Sequence, residues 1–202
     1  MIKVIDNFLP IMYANQIQYE LETELMYKYK EKTSSADQYG DVSFVIDDNC
    51  EDYGQFVCTL LNSSYTEESK FKDYFERLKA VVFTAGEHVE KDICSVDRVK
   101  VNLLLKQSNA SADHYNFPHT DDKTGSHYSM IYYVNDSDGD TFLFNEFWDP
   151  VSGQPPTQLT LNQRVTPKRN RAVIFESDRF HASSNPRFNK NRFIINFVMK
   201  VG

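Results

Sequence analysis

The sequence predicts a mainly β fold of the α+β class: a double-stranded β-helix, or jelly-roll barrel, with N-terminal helices packed on its outside. Three observations predict it. From residue 97 the hydrophobic period changes from helical to alternating, and eight short candidate strands follow with turn signals and no helix between them. Aromatic residues make up 14% of the chain, including 15 Phe and 12 Tyr, which suits a pleated, half-buried surface better than a helical bundle. Two helical periods precede the strands, the segregation expected of an α+β chain. With 202 residues and neither an internal repeat nor a low-complexity linker, residues 1–202 read as one domain, 1–96 a helical support region and 97–202 the jelly-roll core.

In chain order, residues 2–5 alternate as a short strand. Asp6 to Pro10 then turn into a helix expected through about Lys28, with Ile17, Leu21 and Leu25 at helical spacing. Residues 33–54 carry Ser34, Ser35, Gly40 and Gly54 and read as a loop with a short strand at 42–46, the acids Asp47, Asp48, Glu51 and Asp52 being solvated. A second helix is expected over 67–91, where Phe71, Phe75, Leu78, Val82, Ala85 and Val89 follow the 3.6 period as a core stripe and His88 beside them is structural. The candidate strands are 99–105, 117–121, 128–134, 141–147, 158–161, 172–176, 179–182 and 192–199, punctuated by Asp138-Gly139-Asp140, Ser152-Gly153 and Asn185-Pro186. Strands so short and so closely spaced suit a closed or double-sheet β architecture.

A net charge of −7 disfavours a long nucleic-acid duplex as partner. Arg164, Lys168, Arg169, Arg171, Arg187, Lys190 and Arg192 nonetheless make the last forty residues basic, which suits a small anionic ligand. Cys50, Cys58 and Cys94 are odd in number and form no Cys-x-x-Cys, as expected in a reducing cytoplasm. The first residues lack a signal pattern, and no apolar run approaches the ~20 residues of a membrane span, so a soluble cytoplasmic protein without membrane contact is expected.

The chemistry concentrates at Asn116-Phe117-Pro118-His119-Thr120-Asp121. On an extended strand His119 and Asp121, at i and i+2, project to one side. Alone the triplet is weak, because 5 His and 17 Asp yield a chance His-x-Asp roughly 0.4 times in such a chain. A second imidazole from His181 would complete two histidines and one carboxylate on one face with the other positions open, the donor set of non-heme Fe(II) oxygenases. On the last strand Arg192, Ile194 and Asn196 share one face, and Phe193, Ile195, Phe197 and Met199 the other. A guanidinium among apolar neighbours needs an anion, and a carboxylate matches its fork. If a hairpin over 183–191 joins them, this strand runs antiparallel to the one carrying His181.

His-x-Asp, a histidine about sixty residues later and an arginine opening the last strand together resemble the Fe(II)/2-oxoglutarate-dependent dioxygenases, particularly their prolyl-4-hydroxylase-like branch. The resemblance rests on Pro118-His119-Thr120-Asp121, Ile131-Tyr132-Tyr133-Val134-Asn135, Gly139-Asp140-Thr141-Phe142-Leu143-Phe144, Arg171-Ala172-Val173-Ile174-Phe175, Arg179-Phe180-His181 and Arg192-Phe193-Ile194-Ile195-Asn196-Phe197, with Val4 to Leu9 like the usual N-terminus of that branch. It implies that His119, Asp121 and His181 bind Fe(II), that Arg192 pairs with the distal carboxylate of 2-oxoglutarate, that Tyr133 offers its phenol to that carboxylate and that Thr141 lines the pocket. Three departures stand out: Asp138-Gly139 where the family often has Gly-Gly, Ile194 where many members have Ser, and a spacing of eleven from His181 to Arg192, slightly long for the family, which leaves Arg187 as a weaker rival for Arg192.

The implied reaction consumes 2-oxoglutarate and dioxygen and hydroxylates an unidentified substrate, with peptidyl proline, an amino acid, a nucleotide or a small metabolite all open. Asp121, where a small residue would leave room for halide, favours hydroxylation over halogenation. Two other readings stay open: a cupin-like metal enzyme that does not use 2-oxoglutarate and has no need of Arg192, and a non-catalytic jelly-roll binding module with no metal. His114 and His127 read as solvated loop histidines within reach of substrate, and Tyr115, Phe147 and Trp148 as loop aromatics beside the open end.

Overall fold

The computed structural model describes residues 1–34, 48–63 and 71–202. Its elements are β1 (Ile2–Ile5), α1 (Ile11–Thr23), β2 (Lys28–Lys30), β3 (Gln55–Asn62), α2 (Lys72–Val89), β4 (Ile93–Leu105), β5 (His127–Tyr133), β6 (Thr141–Phe147), β7 (Leu161–Val165), β8 (Arg171–Glu176), β9 (Arg179–Ser183) and β10 (Asn191–Val201). One sheet runs β1-β8-β5-β10-β4-β3-β2 and a smaller one β7-β6-β9, with every pairing antiparallel. This is the mainly β, jelly-roll arrangement the strand pattern predicts.

Alternation along the large sheet divides the interior in two. Met130, Tyr132, Ile174, Phe193, Ile195, Phe197 and Met199 share a core with Ala14, Ile17 and Leu21 of α1 and Leu78, Val81, Val82, Ala85 and Val89 of α2. The intervening residues Ile131, Tyr133, Val173, Phe175 and Ile194 face the smaller sheet and pack on Leu143 and Val165. Both faces of β5 are therefore buried, and all seven of its residues are withdrawn from water. At about 1.5–3 kcal/mol for each large apolar side chain buried, these two layers outweigh any single polar contact in holding the sheets together.

Several expected boundaries move. The first helix ends at Thr23 rather than near residue 28, because Lys28–Lys30 joins the sheet edge as β2 beside β3. The sequence reading missed β3; its run Gln-Phe-Val-Cys-Thr-Leu-Leu-Asn is nearly continuous in apolar residues and lacks the alternation that marks a half-buried strand. The start of the second predicted helix and the strand expected at 42–46 lie outside the described residues. The strand expected at 158–161 is instead β7, an edge strand whose residues 161–164 are exposed and polar apart from Leu161. Asp52 is not solvated: its carboxylate accepts the backbone N–H of Thr33 at 3.2 Å and the Thr33 hydroxyl.

The hairpin expected over 183–191 is absent, since β9 pairs with β6 in one sheet whereas β10 pairs with β4 and β5 in the other. The connection crosses between sheets. Ser184 N–H donates to Asp140 O at 2.8 Å, and Gln107 N–H to Pro186 O at 2.8 Å. The Asp138 carboxylate gathers the N–H groups of Arg187, Phe188 and Asn189 at 2.9, 3.0 and 2.9 Å. A Cβ on Gly139 would lie 2.5 Å from Ser184 O, so only glycine allows this close crossing.

Asn170, in the left-handed region at φ +62°, fastens the N-terminal segment. Its side chain accepts Leu9 N–H at 2.9 Å and donates to Leu9 O at 2.8 Å, and its carbonyl accepts Phe8 N–H at 2.9 Å. Asn170→Ala is expected to lower the unfolding free energy by roughly 2–4 kcal/mol, through buried groups left unpaired and an unfavourable backbone conformation. Asn170→Gly should lose less, since it relieves the backbone cost alone, and urea denaturation of both variants measures the difference.

Candidate metal and co-substrate site

The segment from Asn116 to Asp121 forms no regular strand. Pro118 has no N–H to donate, and Asp121 N–H and Asp122 N–H both turn to Ser177 O, at 2.9 and 3.1 Å. What remains is one antiparallel bridge, in which His119 and His181 exchange reciprocal N–H···O bonds of 2.9 Å. Asn116 anchors the start: its Nδ2 donates to Ser183 O and Asn185 Oδ1, both at 3.0 Å, and its Oδ1 accepts Tyr53 N–H at 2.9 Å.

The bridge puts the two imidazoles side by side, with ring centroids 4.4 Å apart. Each Nδ1 meets the carbonyl two residues upstream: His119 with Phe117 O at 3.3 Å, His181 with Arg179 O at 3.1 Å. A carbonyl can only accept, so each Nδ1 carries the proton and each Nε2 presents a lone pair. Burial, then the neighbouring His181, pushes the His119 pKa down to about 3, and burial likewise lowers that of His181, which keeps both rings neutral. The donor atoms of His119, Asp121 and His181 lie within 4.8 Å of one another.

Asp121 is held from behind. Its side chain is 1% exposed, and it accepts Ser129 Oγ at 2.7 Å, Asn196 Nδ2 at 3.1 and 3.3 Å, and Arg98 Nη2. Burial opposes the charged form, but Arg98, with the Ser129 hydroxyl, outweighs it and holds the carboxyl below the usual carboxylate range. His181 Nε2 and Asp121 Oδ2 face each other at 3.6 Å, two acceptors whose tautomer leaves no proton between them. Three converging lone pairs, each on a group already fixed from behind by a hydrogen bond, fit a divalent metal.

Arg192, 1% exposed, is a second charge buried at the site. Its Nη2 donates to Thr141 Oγ1 at 2.7 Å, and its Nε has no hydrogen-bond partner. No carboxylate among the described residues pairs with it, and burial lowers its pKa. Tyr133 Oη donates to the same Thr141 oxygen at 2.7 Å and stands behind it, outside the cleft wall. Arg192, Thr141, His119 and His181 all line one cleft. A larger apolar groove, between α2 and the start of β4, contains none of these residues.

The remaining sequence candidates are placed elsewhere. Arg187 stacks on Phe188, 5.2 Å from its ring, and does not line the cleft. His114 and His127 are buried rather than solvated: His114 Nε2 accepts Asn185 N–H at 3.2 Å, and His127 Nε2 lies 2.9 Å from Asp97 Oδ2. Tyr115 packs on Phe142 and Phe144, Phe147 lies under Arg179, and Trp148 lies under Lys123. Arg98, Ser129 and Asn196 escaped the sequence reading. A signal for the first was present, because Arg98, Lys100 and Asn102 alternate with the apolar Val99, Val101 and Leu103.

A sequence model of the 2OG-Fe(II) oxygenase superfamily matches residues 99–200. The chain belongs to that superfamily. Its dioxygenases require Fe(II) and 2-oxoglutarate, the cofactor and co-substrate of this oxygenase also. No curated protein matches it by sequence. Solved structures share its fold. A 2OG-Fe(II) oxygenase-family oxidoreductase from Burkholderia pseudomallei superposes with a TM-score of 0.62 at 12% identity, covering 98% of this chain and 84% of the other. A Pseudomonas putida prolyl-4-hydroxylase gives 0.53 at 12%, covering 98% and 91%. SnoN, a non-heme α-ketoglutarate-dependent epimerase of nogalamycin biosynthesis, gives 0.59 at 10%, covering 98% and 78%. The fold of this oxygenase is thus prolyl-4-hydroxylase-like, and among the described residues no helix is long and apolar enough to cross a membrane.

The lowered imidazole pKa values tie stability to pH. A histidine whose pKa is depressed on folding contributes fully above its unfolded value of about 6.5, and that contribution is lost as pH falls toward the folded value. Metal-free oxygenase should therefore lose thermal stability between about pH 6.5 and pH 3, and His119→Gln should flatten the decline; calorimetry across this range reads both.

Proposed function

We propose that this oxygenase is a hydroxylase, with Fe(II) on His119 Nε2, Asp121 and His181 Nε2, and with the distal carboxylate of 2-oxoglutarate on Arg192 and Thr141. One observation carries the reading: a buried guanidinium without a carboxylate partner opens into the same cleft as His119 and His181, two of the three residues whose lone pairs converge. With Fe(II) bound, 2-oxoglutarate and dioxygen supply an oxidation in which the substrate C–H becomes C–OH and the keto acid leaves as succinate and carbon dioxide.

The chain's own residues set the geometry. Arg192 gives charge and a donor fork to the carboxylate. The Thr141 hydroxyl, which already accepts from Tyr133 and Arg192, keeps its own proton to donate into the cleft, so Tyr133 acts by orienting Thr141. Phe117 O and Arg179 O fix the imidazole tautomers, and Arg98, Ser129 and Asn196 keep Asp121 ionised. Ile194 closes the wall near Arg192 where a hydroxyl would otherwise assist. Asp121 fills the place that a halogenase leaves open, which favours hydroxylation. Residues 1–202 act as one domain in this reading, since α1 and α2 share the core that backs the site-bearing sheet. A cupin-like enzyme without 2-oxoglutarate would leave Arg192 with no role.

Anaerobic addition of Fe(II) and 2-oxoglutarate should produce a visible charge-transfer band, and oxygen should then release succinate. His119→Ala should abolish the band; a wild type without it, or a variant that retains it, removes the proposal. Arg192→Ala should weaken 2-oxoglutarate roughly a hundredfold while sparing metal affinity, as loss of a buried charge-assisted contact costs about 2–5 kcal/mol. Unchanged affinity for the keto acid would remove Arg192 from the site.

A further inference from the structure

We infer that the primary substrate is a small amino or hydroxy acid, its carboxylate held by Lys100 and its N–H or O–H groups by the side-chain oxygens of Asn102 and Asn196. The inference rests on the iron and 2-oxoglutarate placement above and names the substrate class for the same cleft.

Strand β4 turns Val99 and Val101 into the core beneath the helices and Lys100, Asn102 and Leu104 toward the cleft. Polar groups on the inner face of a central strand carry a desolvation cost that packing does not require. Arg98, on the same face, is used by Asp121, whereas Lys100 makes no hydrogen bond or ion pair with any described residue. Burial, then Arg98, pulls the Lys100 pKa down to about 8, and the nearby Asp121 charge, already engaged by Arg98, offsets only part of this.

The two asparagines supply the complementary half. Gln55 Nε2 donates to Thr33 O at 2.7 Å and Lys32 O at 3.2 Å, so Gln55 Oε1 is the atom that faces Asn102. It can only accept, which assigns Nδ2 of Asn102 to the 2.5 Å contact between them and leaves Asn102 Oδ1 without a donor. Asn196 Nδ2 is likewise committed to the oxygens of Asp121, and Asn196 Oδ1 is unpaired. Both asparagines are more than nine-tenths buried, and both line the cleft.

These groups form one cluster. Asn196 is the direct cross-strand partner of Lys100, and Asn102 is the next residue on the same face of β4. One cation and two carbonyl oxygens reject a ligand that is only anionic, because the oxygens repel it, and a neutral ligand leaves the ammonium unmatched. A carboxylate with an ammonium, imine or hydroxyl group close to it satisfies all three. One lysine beside the negative Asp121 suits a monoanion better than a phosphate dianion. Along β10 the rows of Arg192 and Lys100 are four residues apart, roughly 13 Å, so separate molecules can occupy the two ends.

The test is anaerobic calorimetric titration of the Fe(II) and 2-oxoglutarate-loaded oxygenase with the common L-amino acids, L-lactate and L-malate, each beside its carboxamide. At least one acid should bind, and its carboxamide should bind roughly tenfold more weakly or worse. Lys100→Met should lose that binding while the 2-oxoglutarate titration of the charge-transfer band stays within about twofold, and Lys100→Arg should restore most of it. The inference is overturned if no acid binds, if acid and carboxamide bind alike as a peptide substrate would require, or if Lys100→Met weakens 2-oxoglutarate as much as the acid. Heat of binding is read separately from the band. A protein that binds the acid in a Lys100-dependent way without a band would support the Lys100 site and overturn only the co-substrate assignment.

Discussion

Two backbone hydrogen bonds between His119 and His181 set the geometry of the cleft. They join an irregular segment to a strand of the smaller sheet, and both imidazoles then leave the backbone in the same direction. Their Nδ1 atoms are taken by carbonyls of their own chain segments, so the free electron pairs converge without any partner having to move. Asp121 follows two residues later and must arrive ionised in a buried place. That requires cationic and hydroxyl donors from the opposing sheet, and Arg98, Ser129 and Asn196 provide them. The cleft is thus assembled across two sheets, neither of which contains it alone.

The same division explains the fold's tolerance for polar residues at its centre. The outer face of the large sheet is apolar almost throughout and is closed by α1 and α2. Its inner face grades from Ile131, Val173 and Phe175, packed on the smaller sheet, to Arg192, Asn196, Lys100 and Asn102 around the cleft. Hydrophobic burial supplies the stability that lets the charged groups remain incompletely paired.

Much of this was legible in the sequence because it depends on local period. The alternation of Arg192, Ile194 and Asn196 against Phe193, Ile195 and Phe197 assigns the two faces of β10 correctly, and the i, i+2 spacing of His119 and Asp121 survives although their segment is not a regular strand. The spacing of Ile17 and Leu21, and of Leu78, Val82, Ala85 and Val89, likewise marks the buried faces of both helices. What escaped depends on distant register. That Arg98 reaches Asp121 follows from the pairing of Val198 with Arg98 and of Ser129 with Val198, which no local pattern encodes. The supposed hairpin failed for a similar reason: Asp138, far away in sequence, binds the N–H groups that a turn would have used. β3 lacked a period to read because both its faces are partly covered.

The pairing of β1 with β8 has a consequence for how the chain acquires this structure. Ile2 to Ile5 lie against Ala172 to Phe175, and Asn170 ties down Phe8 and Leu9. β1 therefore meets its sheet partner only after the chain has been made as far as β8. Such non-local contacts slow folding, since loop closure must precede the bonds that reward it. During synthesis this segment must wait with its β edge unsatisfied, and the large sheet is complete only when β10, made after β8, has entered between β5 and β4.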